Sequence, residues 1–327
     1  MNVLVTGGAG FIGSHVAETL LRQCNNVGVV DNFDGFYPLA MKRRNLEEVA
    51  LCGNVALFEA DIRHHGALDH VFTSFRPDLI IHLAARAGVR PSIEQPELYE
   101  QVNVAGTLNL LEAARRHQVK AFVFGSSSSI YGENSPAPFR EDNYFLRPIS
   151  PYAATKLAGE SLCYTYSHLY RFNIACLRFF TVYGPRQRPD LAIHKFTSLI
   201  ENGCEVPIFG NGSTGRDYTY VDDIVAGVCS AADWCMKRPR EAGHYEIFNL
   251  GNSSPVRLSE LVAAIEKATD KKARCKTLPA QPGDVPLTWA DIKKAGSILN
   301  YRPCIQLEEG LSRFVEWFRQ LPIALRA

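Results

Sequence analysis

The sequence has few of the features that mark metal-binding, disulfide-linked or membrane-spanning proteins. Its nine cysteines form no Cys-x-x-Cys pair, and its nine histidines include no His-x-x-x-His pair. Scattered cysteines are typical of reduced thiols in a cytoplasmic protein, so we expect neither disulfides nor a metal site. No apolar run approaches the ~18 residues of a membrane-spanning helix, and no signal peptide precedes the first predicted strand. The sequence therefore predicts a soluble, cytoplasmic protein.

An excess of charge of either sign is also missing. The 327 residues carry 35 Lys and Arg against 34 Asp and Glu, which gives a formal net charge of +1. Basic patches bind nucleic acids and anionic membranes, so this balance argues against both as partners. What is present is a hydrophobic content of 46%, which in a chain of this length predicts a large core divided between two lobes.

The first residues form a pattern typical of dinucleotide binding. An apolar strand runs into Gly7, Gly10 and Gly13, spaced Gly-x-x-Gly-x-x-Gly, and a predicted helix follows. Gly7 permits a tight turn, Gly10 lets the backbone approach a pyrophosphate, and Gly13 lets the helix pack on the strand. Phe11 and Ile12 lie at the helix N-terminus, where free N–H groups and the positive end of the dipole face the phosphates.

An acidic residue after the second strand indicates which dinucleotide is bound. Asp31 follows Gly13 by 18 positions. A carboxylate there accepts hydrogen bonds from both hydroxyls of the adenosine ribose and repels a 2′-phosphate, so we predict NAD rather than NADP. Further predicted cofactor contacts follow this strand and the next ones along the chain: Asn32, Asp61, Ile62, Leu83, Ala84, Ala85 and Asn103.

Strands alternate with helices up to about residue 180, and the alternation weakens beyond it. This order predicts an α/β fold, a Rossmann-type doubly wound parallel sheet that binds its ligand at the carboxyl ends of the strands. We expect an NAD-binding domain over 1–180, with return segments within 217–250. The remainder, 181–216 and 251–327, is predicted to form a smaller C-terminal α/β substrate lobe.

A second pattern suggests acid–base chemistry on an alcohol. Tyr152 and Lys156 share one face of a predicted helix, and the serine run 126–129 follows a buried strand. A lysine ammonium stabilises a tyrosine phenolate by charge attraction, and a serine hydroxyl can hold the reacting oxygen. We therefore predict Tyr152, Lys156 and a serine of this run as a general acid–base set. We expect at least two of the four serines to be structural.

The order and spacing of eight motifs resemble the extended short-chain dehydrogenases/reductases, in the branch of nucleotide-sugar epimerases and dehydratases. Within that branch, residues 181–196 are most similar to UDP-glucuronate 4-epimerases. The eight motifs span nearly the whole chain: 7–13, 61–62, 82–85, 126–132, 152–156, 181–188, 216–218 and 281–284.

This resemblance implies tightly bound NAD, a UDP-sugar substrate and a homodimer. In the implied reaction Tyr152, held by Lys156, takes the proton of the sugar 4-hydroxyl while hydride leaves C4 for NAD. The 4-keto sugar then turns, and hydride returns to its other face. Ser127 aligns with the catalytic hydroxyl of the family, and Ser129 with a second hydroxyl that guides the intermediate.

The serine run also lacks residues that related enzymes have. The 4,6-dehydratases of the branch carry an Asp-Glu pair where this chain has Ser128 and Ser129, and the UDP-glucuronate decarboxylases carry a glutamate there. Without a carboxylic acid at these positions, chemistry beyond oxidation at C4 has no obvious catalyst. The pattern favours an epimerase over both alternatives.

The resemblance also implies residues that bind the substrate. Arg188 matches the position that recognises a sugar carboxylate, and Arg186 is its nearby competitor. Arg216 corresponds to a diphosphate-binding arginine and Asp284 to a ribose-contacting acid. Further predicted contacts, of which Lys195, Phe196 and Arg90 fit structural roles equally well, are Arg90, Ser127, Ser128, Thr181, Lys195 and Phe196.

The favoured reading is an NAD-retaining UDP-glucuronate 4-epimerase. A UDP-glucose or UDP-N-acetylglucosamine 4-epimerase is the close alternative. The loop 186–188 discriminates between the two readings, because a neutral sugar has no use for a second fixed cation. A UDP-glucuronate decarboxylase, or an NAD-binding regulator that has lost catalysis, fits the sequence less well.

Overall fold

A computed structural model describes residues 1–133, 135–210, 212–239, 242–279 and 285–326. Asp284, predicted to contact the ribose, and the rest of its motif lie outside the described residues. The strands are β1 (Asn2–Thr6), β2 (Asn26–Asp31), β3 (Val55–Glu59), β4 (Leu79–His82), β5 (Ala121–Ser127), β6 (Asn173–Phe179), β7 (Thr181–Tyr183), β8 (Glu205–Phe209), β9 (Gly215–Tyr220), β10 (Tyr245–Leu250), β11 (Pro255–Arg257) and β12 (Arg274–Leu278).

The α-helices alternate with these strands in the first half of the chain. They are α1 (Phe11–Arg22), α2 (Leu39–Ala50), α3 (His65–Phe75), α4 (Val89–Glu94), α5 (Pro96–Glu100), α6 (Gly106–Arg116), α7 (Pro151–Tyr170), α8 (Ala192–Glu201), α9 (Val221–Lys237), α10 (Leu258–Thr269), α11 (Lys293–Leu299) and α12 (Leu307–Gln320). A π-helical turn, Gln101–Ala105, joins α5 to α6, and a 3₁₀ turn, Ser128–Tyr131, follows β5.

Seven parallel strands form the large sheet in the order β10-β6-β5-β4-β1-β2-β3. The order reverses between β1 and β4, and a parallel doubly wound sheet binds its ligand at such a switch point. The predicted Rossmann-type fold is confirmed.

Side chains of β1 show how the sheet is buried on both faces. Val3 and Val5 pack into the cluster that includes α1 and α9, whereas Leu4 packs into the opposite cluster with residues of α3 and α6. Successive side chains of a strand point to opposite faces, so an uninterrupted apolar run serves both layers. This explains why the first-half strands were visible as short apolar runs.

The second lobe contains the small sheets β11-β9-β7 and β12-β8. Strand β9 begins at Gly215 and pairs with β7 and β11. The chain then returns to the large sheet: α9 packs against α1 and β5, and β10 pairs with β6.

Helix α3 follows His64 and begins at the adjacent His65. The helix buries Leu68, Val71, Phe72 and Phe75. Those four residues recur at helical spacing and were the available signal.

Candidate active site

A cavity opens at the carboxyl ends of β1 and β4, and the glycine-rich loop forms its floor. Gly7 has a φ of 71°, and a Cβ on it would lie 2.7 Å from the backbone nitrogen of Ala84. A Cβ on Gly13 would overlap the carbonyl oxygen of Gly7. Gly10 precedes α1, whose first turn has no side-chain cap, so its N–H groups remain available to an anion.

The predicted cofactor residues surround this cavity with one exception. Asn103 does not line it; its buried amide binds the backbone N–H and carbonyl of Arg86 and the hydroxyl of Thr155. These hydrogen bonds make Asn103 a support for the segment after β4. Those that line the cavity are Gly7, Gly10, Phe11, Ile12, Gly13, Asp31, Asn32, Asp61, Ile62, Leu83, Ala84, Ala85, Tyr152 and Lys156.

Asp31 and Asp61 form an acidic end of the cavity. The carboxylate of Asp31 accepts the N–H groups of Ala9 and Phe33 and lies 3.3 Å from the Lys42 ammonium, which fixes its position beside the glycine loop. Although burial opposes the effect, the Arg63 guanidinium and the Asn32 amide hold the pKa of Asp61 well below its usual range. Two carboxylates beside the glycine loop fit a dinucleotide whose ribose hydroxyls donate hydrogen bonds.

Tyr152 and Lys156 occupy the first two turns of α7. The helix begins sharply because the Ser150 hydroxyl accepts the Ala153 N–H at 3.2 Å and Pro151 occupies the first helical position. Lys156 Nζ donates to the carbonyl of Gly125 at 2.8 Å, so the lysine is anchored on β5.

Burial shifts the pKa values of both side chains away from those in water. Burial raises the pKa of the Tyr152 phenol, while a hydrogen bond with Ser127 and the charge of Arg188 oppose that rise. Burial also lowers the pKa of Lys156 to about 8, against the nearby Cys163 and Glu160. A lysine whose pKa moves toward neutrality inside a cavity is typical of acid–base sites, whereas the raised pKa of Tyr152 favours its phenol form.

The serine run supplies different roles within a few residues. The Ser127 hydroxyl caps the 3₁₀ turn by accepting the Ser129 N–H, and it donates to the Ser129 hydroxyl at 3.1 Å. The Ser126 hydroxyl instead turns to Glu160, at 2.6 Å. Ser128 is half-buried in the turn. Ser127 and Ser129 thus stand together, and Ser126, which also lines the cavity, is held by Glu160.

One turn beyond Lys156 on α7 lies a buried ion pair that the sequence analysis did not include. Arg178 on β6 donates to both oxygens of Glu160 on α7, at 3.0 and 2.8 Å, and to the Tyr131 hydroxyl at 2.9 Å. Tyr131 in turn donates to Asn249 on β10. This network joins α7, the serine turn and two neighbouring strands, so it fixes where the Tyr152 helix stands relative to Ser127.

The structure separates the two candidate arginines of the loop after β7. Arg188 lines the cavity with Tyr152, and its guanidinium donates to both oxygens of Asp190, at 2.9 and 2.8 Å. Arg186 does not line it. Its guanidinium lies 2.7 Å from Glu18 on α1 and 2.7 Å from Glu48 on α2. Protein carboxylates therefore hold the Arg186 side chain outside the cavity.

Several cavity residues had no place in the sequence reading. Phe36 lies under two guanidiniums, with Arg86 at 4.7 Å and Arg188 at 5.4 Å from its ring centre. Arg86 forms an ion pair with Asp34, and Tyr37 lies near Gly10. The aromatic residues of the segment 32–37 were the signal in the sequence that could have placed it at the cavity.

The remaining predicted substrate residues lie outside the cavity lining. Phe196 is buried in the core and Lys195 is exposed on α8, positions that suit their structural alternative. Arg90 stacks on Phe209 at 5.1 Å, and Arg216 donates to the Gly215 carbonyl. Thr181 is half-buried at the start of β7.

Two features were sought across the described ranges. No helix among the described residues is long and apolar enough to cross a membrane. In the same part of the chain, no group of three or more His, Cys, Asp or Glu side chains is arranged to hold a metal ion.

The parallel sheet, the glycine loop at its switch point and the Ser127, Tyr152 and Lys156 set together define an enzyme of the extended short-chain dehydrogenase/reductase class. The sequence model of the family described as GDP-mannose 4,6 dehydratase matches residues 4–314. The chain belongs to that family.

Relatives within the family narrow the resemblance. A UDP-glucuronate 4-epimerase of Thermodesulfobacterium geofontis is 43% identical, with 97% of this chain and 96% of the relative covered. The crystal structure of UDP-glucuronic acid 4-epimerase from Bacillus cereus, in complex with UDP-glucuronic acid and NAD, is 36% identical, with a TM-score of 0.89 and 98% and 99% of the two chains covered. A UDP-glucose 4-epimerase from Thermotoga maritima, with UDP-glucose, is 34% identical, with a TM-score of 0.88 and the same coverage.

Proposed function

We propose that this chain, an NAD-dependent UDP-sugar 4-epimerase, interconverts UDP-glucuronate and UDP-galacturonate. The observation that carries this choice is the position of Arg188, whose guanidinium lies in the same cavity as Tyr152. An arginine there can form a charge-assisted, bidentate hydrogen bond with a sugar carboxylate. The relatives named as UDP-glucuronate 4-epimerases support the same choice.

The cavity residues fit NAD. Gly7, Gly10 and Gly13 leave room for its pyrophosphate at the N-terminus of α1, Asp31 accepts the hydroxyls of its adenosine ribose, and Ala84 and Ala85 leave space beside the strand end. NAD, when bound, supplies the reversible oxidation of the sugar at C4.

Tyr152 is the group that moves the proton. The phenolate of Tyr152 accepts the proton of the sugar 4-hydroxyl as that carbon is oxidised, and the phenol returns it after the ring has turned. Lys156, anchored on the Gly125 carbonyl, stabilises the phenolate by its charge. Ser127, hydrogen-bonded to Tyr152, holds the C4 oxygen within reach.

Arg188 protects the intermediate as well as selecting the substrate. A 4-keto uronate is a β-keto acid, and it loses CO₂ readily when the bond to its carboxylate turns out of the sugar plane. A guanidinium already fixed by Asp190 and Phe36 holds the carboxylate in one orientation. Ser128 and Ser129 add no acid at the positions where related dehydratases and decarboxylases carry one, which supports return of the oxidised carbon to an alcohol.

One observation favours a second candidate, a UDP-glucose 4-epimerase. One edge of the Arg188 guanidinium, through Nε and Nη2, already contacts Asp190, so part of its charge is neutralised within the protein. A neutral sugar makes no demand on that charge. The UDP-glucose 4-epimerase of Thermotoga maritima, of nearly equal structural similarity, supports this alternative.

The lobes and the assembly complete the proposal. Residues 1–180, with the return of α9 and β10, form the cofactor lobe, and 181–216 and 251–327 form the sugar lobe; the segment 217–220 stays with the small sheet in β9. Exposed apolar residues on the neighbouring helices α6 and α7 support a homodimer, because monomeric proteins seldom expose such residues together. These residues are Leu108, Tyr164, Leu169 and Tyr170.

The test is to incubate the purified protein with UDP-glucuronate and separately with UDP-glucose, adding no NAD. Proton NMR of the anomeric region identifies the products. UDP-galacturonate, formed much faster from the first substrate than UDP-galactose from the second, is the expected result. UDP-galactose from the second alone would establish the alternative, and a UDP-pentose would show that the carboxylate is not protected.

A further inference from the structure

Arg186 links the loop that carries Arg188 to the two helices next to the dinucleotide loop. Its Nε donates to Glu48 on α2 at 2.7 Å, and its Nη2 donates to Glu18 on α1 at 2.7 Å. The side chain is only 7% exposed, and both partners are carboxylates. Such a planar fork between two acids has a defined orientation that a point charge lacks.

The backbone at Arg186 is unusual as well. Its φ is 65°, in the left-handed region that residues other than glycine seldom adopt. This conformation turns the chain between Arg186, which is buried, and Arg188. The side chains of these two arginines therefore lie on different sides of the loop. A strained conformation persists only where surrounding contacts hold it. The two ion pairs are those contacts.

Neighbouring residues tie the same loop at further points. His15 of α1 binds the Pro185 carbonyl at 3.0 Å, and burial, helped by Arg186, lowers the pKa of this histidine to about 4. On the far side, the Gln187 amide donates to the Val182 carbonyl, and His194 of α8 binds the Gln187 carbonyl. The loop is therefore held between α1 and α8, with Arg188 as the part that enters the cavity.

We propose that Arg186 is a positioning residue, whose ion pairs with Glu18 and Glu48 hold the turn that directs Arg188 into the cavity. This inference rests on the proposed recognition of a uronate by Arg188. It makes selectivity for the charged sugar depend on α1 and α2, although neither Glu18 nor Glu48 contacts the substrate. A defect at Arg186 then weakens binding of the carboxylate without weakening the chemistry at C4.

The test measures KM and kcat for UDP-glucuronate and UDP-glucose in wild-type protein and in Arg186→Lys. Lysine keeps the charge but cannot span both carboxylates. We expect the KM for UDP-glucuronate to rise about 10-fold, because a small displacement of a positioned group costs that much or more. The KM and kcat for UDP-glucose stay within about twofold, because a neutral sugar does not use the displaced group. Glu48→Gln, milder because Glu18 remains, should shift the same ratio in the same direction.

Two controls remove the other partners of these carboxylates. Arg22 pairs with Glu18 and Arg44 with Glu48, both at least 32% exposed, so Arg22→Gln and Arg44→Gln alter the charge without releasing the loop. Both should keep the wild-type ratio. Equal losses for both sugars in Arg186→Lys and Glu48→Gln, or an unchanged ratio, would overturn the positioning role alone. A wild-type protein that turns over UDP-glucose and not UDP-glucuronate would overturn the proposed function and this assignment with it.

Discussion

Glu160 and Arg178 form a two-pronged ion pair that is almost completely buried, with side-chain exposures of 4% and 2%. It stands one turn beyond Lys156 on α7. Removing one partner of a buried pair leaves the other charge without compensation, which costs about 3–5 kcal/mol. We therefore expect Glu160→Gln to lower the free energy of unfolding by about that amount, measured by urea denaturation.

The matched control is Asp142→Asn, which breaks the ion pair of Asp142 with Arg140 at the surface. Exposed pairs contribute little, so we expect no resolvable change in the urea midpoint. Equal stabilities of Glu160→Gln and the wild type would show that the buried network does not hold α7 in place.

Tyr152→Phe tests the proton-transfer role directly. The variant keeps the ring and loses only the hydroxyl, so the fold and its thermal midpoint should be unchanged. We expect kcat to fall by about 10³-fold or more, the range in which a general acid–base group contributes. Tyr164→Phe makes the same change on an exposed part of the same helix and should keep wild-type turnover. Substantial activity in Tyr152→Phe would assign the proton transfer to another group.

The lowered pKa of Lys156 predicts an alkaline limit on activity. Burial brings this pKa to about 8, so the ammonium is present below that pH and is lost above it. The phenolate of Tyr152 loses its stabilising charge at the same step. We expect the pH profile to have an alkaline limb, along which kcat/KM falls about tenfold for each pH unit above this pKa. A single essential proton in the free enzyme gives this slope.

Lys156→Arg provides the comparison, because a guanidinium stays charged across the measured range. Its activity is expected to be lower, but its profile should lack the limb near pH 8. A wild-type profile that stays flat up to pH 10 would contradict the assignment of the limb to Lys156.

Arg188→Ala tests recognition of the carboxylate. The truncated side chain leaves UDP-glucuronate without its cationic partner and leaves UDP-glucose with the contacts it had. Hydrogen bonds to charged groups contribute about 1.5–3 kcal/mol, so we expect the preference for the uronate to fall by about 10- to 100-fold. Steady-state kinetics with both sugars measures this ratio. Arg140→Gln, remote from the cavity lining, is the control, and unaltered uronate kinetics in Arg188→Ala would place the carboxylate elsewhere.

Local backbone constraints explain what could be predicted from the sequence. Gly7 and Gly13 are required by the conformation and contacts of a few neighbouring residues, so their spacing is visible in the chain itself. The Tyr152 and Lys156 pair is likewise one turn of one helix. The buried strands were readable because both of their faces are apolar.

Contacts between distant segments explain what could not. Arg186 and Arg188 are two residues apart in a single motif, and only the positions of Glu18 and Glu48, 168 and 138 residues away, decide which of them faces the cavity. Asn103 is polar and was expected to contact the cofactor, but the π-helical turn directs its side chain to the backbone of Arg86. The position of Phe196 on its helix suits either a ligand contact or a place in the core, and the side chain packs in the core.

The pairing of β10 with β6 also has a consequence for how the chain is made. The neighbouring strands β6 and β10 are separated in sequence by the segment 180–244, which includes the first part of the smaller lobe. During synthesis, β6 therefore stays an open edge, with unpaired backbone groups, until residue 250 has left the ribosome. Open apolar edges invite pairing with other chains. A fragment that stops at residue 180 would expose this edge permanently, so the cofactor lobe is continuous in space but not an autonomous stretch of chain.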